Sequence, residues 1–151
     1  MPRVIRRRRG TAIVETDKGI LLTSGNGRIF ILPGGGAKRG ETRIEASLRE
    51  LIEETRLKPY LVEIIFRHLG KVKPTISGRG YYQDHHTVCL VKATGKAILG
   101  GRDAKYIAYY YPGCNVRVST ATQEIIDKYY LWKLKREQNK DSPITNDEVD
   151  E

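Results

Sequence analysis

One stretch constrains this chain more than any other. The apolar run Ile29–Leu32 gives way to Pro33-Gly34-Gly35-Gly36, and then to ETRIEASLRELIEETRL, where acids and aliphatics recur at helical spacing. An α-helix advances about 100° per residue. Glu50, Glu53 and Glu54 stand at i, i+3 and i+4, so on a helix their carboxylates share a face. Ile44, Leu48, Leu51 and Thr55 fall roughly 100–160° away on the same wheel. The pattern predicts a helix over Thr42–Thr55 with an apolar side for a core and an acidic side for something else. The glycines before it predict a turn whose backbone approaches a ligand closely, since glycine tolerates positive φ. A strand, a glycine turn and a carboxylate-bearing helix form a layout that can take metal and phosphate together.

Three like charges on one face repel, and Arg49 is the cation near enough to offset them. A divalent cation would supply the missing charge. All-oxygen ligands suit Mg²⁺ or Mn²⁺ better than zinc. The competing reading is an ordinary solvated acidic face. Glu41 lies eight residues before Arg49, about two helical turns, so the two can pair and lock the loop onto the helix.

Together these residues resemble the signature of the Nudix hydrolases: G, five residues, E, seven residues, REU, one residue, EE, one residue, G, U, with U a bulky aliphatic. Gly35, Glu41, Arg49, Glu50, Leu51, Glu53, Glu54 and Leu57 match in register. Arg56 stands where the pattern has its second glycine, and an arginine kept in a left-handed helix cap there costs about 1 kcal/mol. The resemblance implies an α/β/α sandwich around a mixed sheet. It also implies a pyrophosphohydrolase that acts on a nucleoside diphosphate linked to another group and requires Mg²⁺ or Mn²⁺. Carried over by position, Glu50, Glu53 and Glu54 would be metal ligands or the base that activates water. The Gly34 carbonyl would be a further ligand, and Arg49 and Glu41 orienting residues. Asp84 and Asp103 are candidates for one carboxylate recruited from outside the signature.

Composition predicts one compact domain over residues 1–137 and a disordered acidic tail over 138–151. Two well-separated cysteines, Cys89 and Cys114, predict a reducing, cytoplasmic setting. No apolar run has transmembrane or signal-peptide length. The net charge is +9; from Gln138 on, one lysine faces five acids, a net −4 that leaves +13 on the rest. Such a field captures polyanions. A small phosphate-rich substrate fits the signature better than nucleic acid, for which no recognition motif is evident. The oligomeric state stays open, a homodimer included.

Strands are predicted at Val4–Glu15, Ile20–Ser24, Arg28–Leu32, Tyr60–Leu69, Tyr81–Ala93 and Tyr106–Tyr111. Ile20–Ser24 and Arg28–Leu32 read as a hairpin around Gly25-Asn26-Gly27. Lys71–Gly80 reads as a loop, and a second helix runs from a Ser119 or Thr120 cap through Arg136. Within the Arg6–Arg9 run, Arg6 and Arg8 are candidate phosphate contacts, against a plain basic surface strand. Lys71, Lys73, Arg79 and Tyr82 combine cations with an aromatic ring and are further candidate substrate contacts. His85 and His86 should point to opposite faces of their strand, one of them a candidate for lining the cleft. The function expected is metal-dependent cleavage of a diphosphate linkage in a nucleotide derivative. The rival substrates are dinucleoside polyphosphates and diphosphoinositol polyphosphates. The rival class is a non-catalytic nucleotide-binding domain of the same family, which would be expected to have lost the carboxylates kept here.

Overall fold

The computed structural model describes residues 3–99 and 104–140. Its elements are β1 (Val4–Ile13), β2 (Glu15–Thr16), β3 (Gly19–Ser24), β4 (Gly34–Gly36), α1 (Arg43–Thr55), β5 (Lys58–Leu69), β6 (Lys73–Pro74), β7 (Tyr81–Thr94), β8 (Tyr106–Tyr110) and α2 (Thr120–Gln138). The main sheet is mixed, with order β4-β1-β7-β5 and β6 added to the end of β7. β1 and β7 are parallel from Val4↔Tyr81 to Ile13↔Leu90. β5 and β4 flank them antiparallel. A smaller sheet has order β2-β3-β8.

Strand alternation builds two cores, one on each face of the main sheet. Ala12, Val14, Leu21, Cys89 and Val91 pack with Leu51 of α1. Ile13, Ile20, Leu22 and Val88 pack with Ile125, Ile126 and Tyr129 of α2. Neighbours in sequence thus serve opposite layers, and the result is an α/β/α sandwich. Glu15 fastens α2 to the strands by accepting from the Tyr129 hydroxyl and from Lys133 Nζ at 2.8 Å.

α1 sits unusually close to β1. A Cβ placed on Gly10 would lie 2.0 Å from the Arg43 carbonyl oxygen and 2.6 Å from the Ser47 nitrogen. Only glycine lets the helix backbone rest there.

Four expectations change in the structure. The glycine triplet is a strand, β4, paired with β1 at Arg9↔Gly36, Gly10↔Gly35 and Thr11↔Gly34, rather than a turn. The hairpin's second limb does not form a strand: Arg28–Leu32 makes isolated bridges at Thr23↔Ile31 and Phe30↔Val118. There the Asn26 carboxamide oxygen accepts from the nitrogens of Arg28 and Ile29, and Ser24 Oγ accepts from those of Asn26 and Gly27. Those backbone donors are therefore taken from any ladder. Finally, the Lys71–Gly80 loop contains β6, and α2 continues past Arg136 to Gln138 with Asn139 as its cap. The tail from residue 141 on lies outside the described residues, as does Asp103.

Gly10→Ala should lower stability by about 1–3 kcal/mol, because the added methyl meets helix backbone rather than a movable side chain. Urea unfolding measures this directly. A change below about 0.5 kcal/mol would mean that α1 can lift from β1 at no cost.

Candidate active site

Local signals set where α1 begins and ends. Thr42 is its N-cap: its side chain accepts from Glu45 N, and the Glu45 carboxylate accepts from Thr42 N, a reciprocal capping box. At the other end Arg56 adopts φ 61°, ψ 10°, and its N–H closes on the Ile52 carbonyl. The arginine therefore takes the left-handed cap that the second glycine would occupy, and the helix ends in register.

The acidic face is organised by Arg49. Its Nε and Nη2 bind the two Glu41 oxygens at 2.8 and 3.0 Å. Nη1 reaches Glu50 Oε1 at 3.0 Å and Glu53 Oε2 at 3.3 Å, and Nη2 donates to the Gly36 carbonyl at 3.2 Å. Glu41 also accepts from Lys38 N at 2.9 Å. These bonds, Arg49's first, hold the Glu41 carboxyl down at about 2 and raise the basicity of Arg49. Gly35 makes room for the arrangement, since a Cβ there would lie 2.5 Å from Glu50 Oε1.

Glu54 receives no bond from Arg49. Its oxygens accept from Gly34 N at 3.0 Å and Thr23 Oγ1 at 3.5 Å. Burial, then the charges of Glu50 and Glu53, push its carboxyl up to about 7 against these two bonds. Among the described residues, no three His, Cys, Asp or Glu side chains are gathered as a ready-made metal site. Glu50 and Glu53 are turned toward Arg49. The donors are nonetheless all oxygens, and the charges of Glu50 and Glu53, which add to burial in raising Glu54, mark negative charge that Arg49 leaves uncompensated.

Gly34 also lines a cleft of about 500 Å³ on the α2 side of the sheet. Arg7, Arg9 and Thr11 of β1, Tyr82, Asp84 and His86 of β7, and Lys73 of β6 line it, closed by Ile29, Ile31 and the start of α2. Arg7 is held by Asp84 through two bonds of 2.6 and 3.0 Å and lies 4.0 Å over the Tyr82 ring. His86 Nδ1 bonds Thr11 Oγ1 at 2.8 Å, and burial, then the nearby Arg9, lower its pKa to about 4.

The structure brings some of the sequence candidates together and separates others. Glu41, Arg49, Glu50, Glu53, Glu54 and Gly34 converge, although the Gly34 group that touches a carboxylate is its N–H. Lys73 and Tyr82 line the cleft, and Lys71 lines a small adjoining cavity of about 110 Å³ beside Lys73, Asp84 and Glu124. Arg79 borders neither cavity. Asp84 is engaged by Arg7 rather than joined to the acidic helix. Arg6 and Arg8 are absent from the cleft lining, and Arg8 instead donates to the Glu41 carbonyl at 2.8 Å. The cleft arginines are Arg7 and Arg9, which sequence reading passed over. Gly10 and Ala12, small residues that seat α1, were the available signal: they mark the even-numbered positions of β1 as the α1 side. His86, not His85, faces the cleft.

The family model of the NUDIX domain matches residues 5–124. The chain belongs to the Nudix family. It is an enzyme of the Nudix hydrolase type, and its fold is shared with solved relatives. A Nudix hydrolase family member from Chromobacterium violaceum superposes with a TM-score of 0.70 at 30% identity, covering 87% of this chain and 80% of that one. An ADP-ribose pyrophosphatase of Methanocaldococcus jannaschii is 30% identical over 125 residues, 80% of this chain and 71% of that protein. An RNA pyrophosphohydrolase of Roseobacter denitrificans is 36% identical over 59 residues, 31% of this chain and 37% of that protein. No helix among the described residues is long and apolar enough to cross a membrane.

Glu54 gives this Nudix hydrolase a pH signature. A folded pKa near 7 against an ordinary 4.5 means that the folded state keeps a proton the unfolded chain has released. The contribution of this group to stability is full below about 4.5 and is lost as pH rises to about 7. In metal-free protein, Glu54→Gln should match wild type at pH 4.5 and exceed it at pH 8 by on the order of 2 kcal/mol. Urea midpoints at the two pH values test it, and a variant less stable than wild type at pH 8 would refute it.

Proposed function

We propose that this Nudix hydrolase is a pyrophosphohydrolase that requires Mg²⁺ or Mn²⁺ and cleaves the diphosphate linkage of a nucleoside diphosphate derivative. The observation that carries the reading is the shared wall at Gly34, which puts an undercompensated cluster of carboxylates beside a cationic cleft of nucleotide size. The name of the Methanocaldococcus relative supports ADP-ribose or a close analogue as the first substrate to test.

Glu50, Glu53 and Glu54, with the Gly34 carbonyl, would hold the cation. When bound, it supplies charge to the diphosphate and lowers the pKa of the attacking water. Arg9 and Lys73 bind phosphate oxygens from the cleft side. Arg7, kept in place by Asp84, presents Tyr82 toward the cleft. Glu41 fixes Arg49, and Arg49 orients Glu50 and Glu53. Glu54, with one oxygen held by the Gly34 N–H, accepts the proton released by water.

The deciding experiment is a hydrolysis panel of ADP-ribose, other nucleoside diphosphate derivatives, dinucleoside polyphosphates and a diphosphoinositol polyphosphate, with Mg²⁺ or Mn²⁺. Products are resolved as nucleoside monophosphate, phosphate or pyrophosphate. Cleavage between the two phosphates of ADP-ribose is the expected result. Inertness toward every phosphoanhydride would overturn the reading in favour of a binding domain.

Two variant measurements accompany the panel. Glu53→Gln should cut kcat roughly 10²–10⁴-fold with the melting temperature preserved; near wild-type turnover at saturating Mg²⁺ would remove Glu53 from the site. In the absence of substrate, Mg²⁺ at about 100 times its Kd should stabilise the wild type by about 2.7 kcal/mol. Glu54→Gln should show a smaller gain. Equal gains in both proteins would place the cation elsewhere.

A further inference from the structure

The alternation that sends Arg7 and Arg9 into the cleft sends Arg6 and Arg8 to the other side of the sheet, away from the cleft. α1 begins at Arg43, against Gly10, so the part of β1 before Gly10 extends past the helix. Arg6 and Arg8 are exposed there. Their partners across the parallel pairing are Gln83 and His85, and Arg67 of β5, paired with Thr87, shares their face. Arg43 closes the lower border and reaches Thr87 Oγ1 at 3.4 Å.

No carboxylate of these strands opposes the cations. β1 has no acidic residue, Asp84 faces the cleft, and Glu63 pairs with Arg136 of α2. Arg6 and Arg43 press on the same imidazole, adding to burial in making His85 harder to protonate. Arg6, Arg8 and Arg67, gathered with no carboxylate from their own strands beside them, raise the free energy of the empty face, and an anion lowers it.

Shape selects the kind of anion. Arg6, Arg8 and Arg67 line neither the cleft nor its side cavity, so their row lies outside those two enclosures. On a strand, alternate residues repeat every 6.4–6.8 Å or so, which makes Arg6 and Arg8 a row of fixed cations. Tyr81, 39% exposed, lies beyond them on the same side of β7, and Leu69, 57% exposed, stands beside His85 on β5. A cationic track with an exposed aromatic suits a single-stranded nucleic acid, whose phosphates follow the charges while a base stacks on the ring. The track also runs into the catalytic loop, because Arg8 donates to the carbonyl of Glu41, the residue that anchors Arg49.

We propose that the bare α1-side face formed by Arg6, Arg8, Arg67, His85 and Tyr81 binds single-stranded nucleic acid, as a surface separate from the nucleotide cleft. The competing account is edge protection. Among the described residues no strand pairs with the outer side of β1 before Arg9, and charged residues there discourage pairing between copies.

The test uses the full chain and a fluorescein-labelled 12-nucleotide RNA with a 5′-hydroxyl end, which offers no diphosphate to cleave. Anisotropy is read in EDTA at several salt concentrations. Wild type should bind with a salt-dependent Kd. The double variant Arg6→Gln/Arg8→Gln should bind at least tenfold more weakly, with a log–log salt slope shallower by about 1.4, the value for two phosphate contacts on a single strand. Arg6→Gln alone should weaken RNA binding while its kcat/KM on the small substrate found by the hydrolysis panel stays within twofold. Arg6→Lys/Arg8→Lys should retain most of the binding, which separates loss of charge from loss of fold. Tyr81→Ala should weaken binding without changing the slope.

Unchanged RNA binding in the glutamine double variant overturns the proposal. So does unchanged binding with self-association in sedimentation, which would assign the arginines to edge protection. Complete displacement of the RNA by equimolar tripolyphosphate, with the same loss in the double variant, overturns it in favour of a compact-anion site. Because the RNA lacks a diphosphate, none of these outcomes depends on whether the chain hydrolyses nucleotides.

Discussion

The parallel pairing of β1 with β7 is the constraint on which the rest depends. Ten successive residue pairs, Val4↔Tyr81 through Ile13↔Leu90, fix which side chains stand beside one another on each face. On one face the pairing sets Arg7 against Asp84 and Arg9 against His86, and so creates the wall of the cleft. Further along, it aligns Ala12 with Cys89 beneath α1 and Thr11 with Val88 toward α2. Cleft, cores and both helix seats follow from one register, because a strand distributes residues strictly by parity.

The second layer of control is the contact between α1 and the glycines. Gly10 lets the helix backbone come down onto β1, and Gly35 leaves space for the Glu50 carboxylate. The acidic face is thereby brought against β4, where the Gly34 N–H captures Glu54. Arg49 then divides the carboxylates into unequal classes. Glu41 is held strongly acidic, while Glu54 is left with a proton affinity near neutrality. That inequality distinguishes the site from a surface patch of glutamates.

Much of this was legible in the chain. The helix, expected over Thr42–Thr55, was readable because its periodicity and the spacing of Glu41 to Arg49 agree with one another, while the Thr42 cap and the two cores emerge from the structure. The facing of the arginine run was not: four identical residues carry no parity signal, and only Gly10 and Ala12 downstream disclose it. β4 was missed because three glycines have little preference for a strand, and pairing with β1 decides their conformation. The second hairpin limb was overpredicted because the side chains of Ser24 and Asn26 compete for the backbone donors that a ladder needs, while Phe30 turns to the segment before α2. In each case a tertiary partner outweighed a local preference.

The run of four arginines has a mechanical consequence. Were β1 to slip by one residue against β7, Arg6 and Arg8 would replace Arg7 and Arg9 in the cleft, and its charge would hardly change. Gly10, however, would leave the seat of α1, and a side chain would be driven into the helix backbone. Electrostatics is thus indifferent to the slip while sterics forbids it. The segment tolerates error in the property that attracts substrate and permits none in the one that aims the carboxylates.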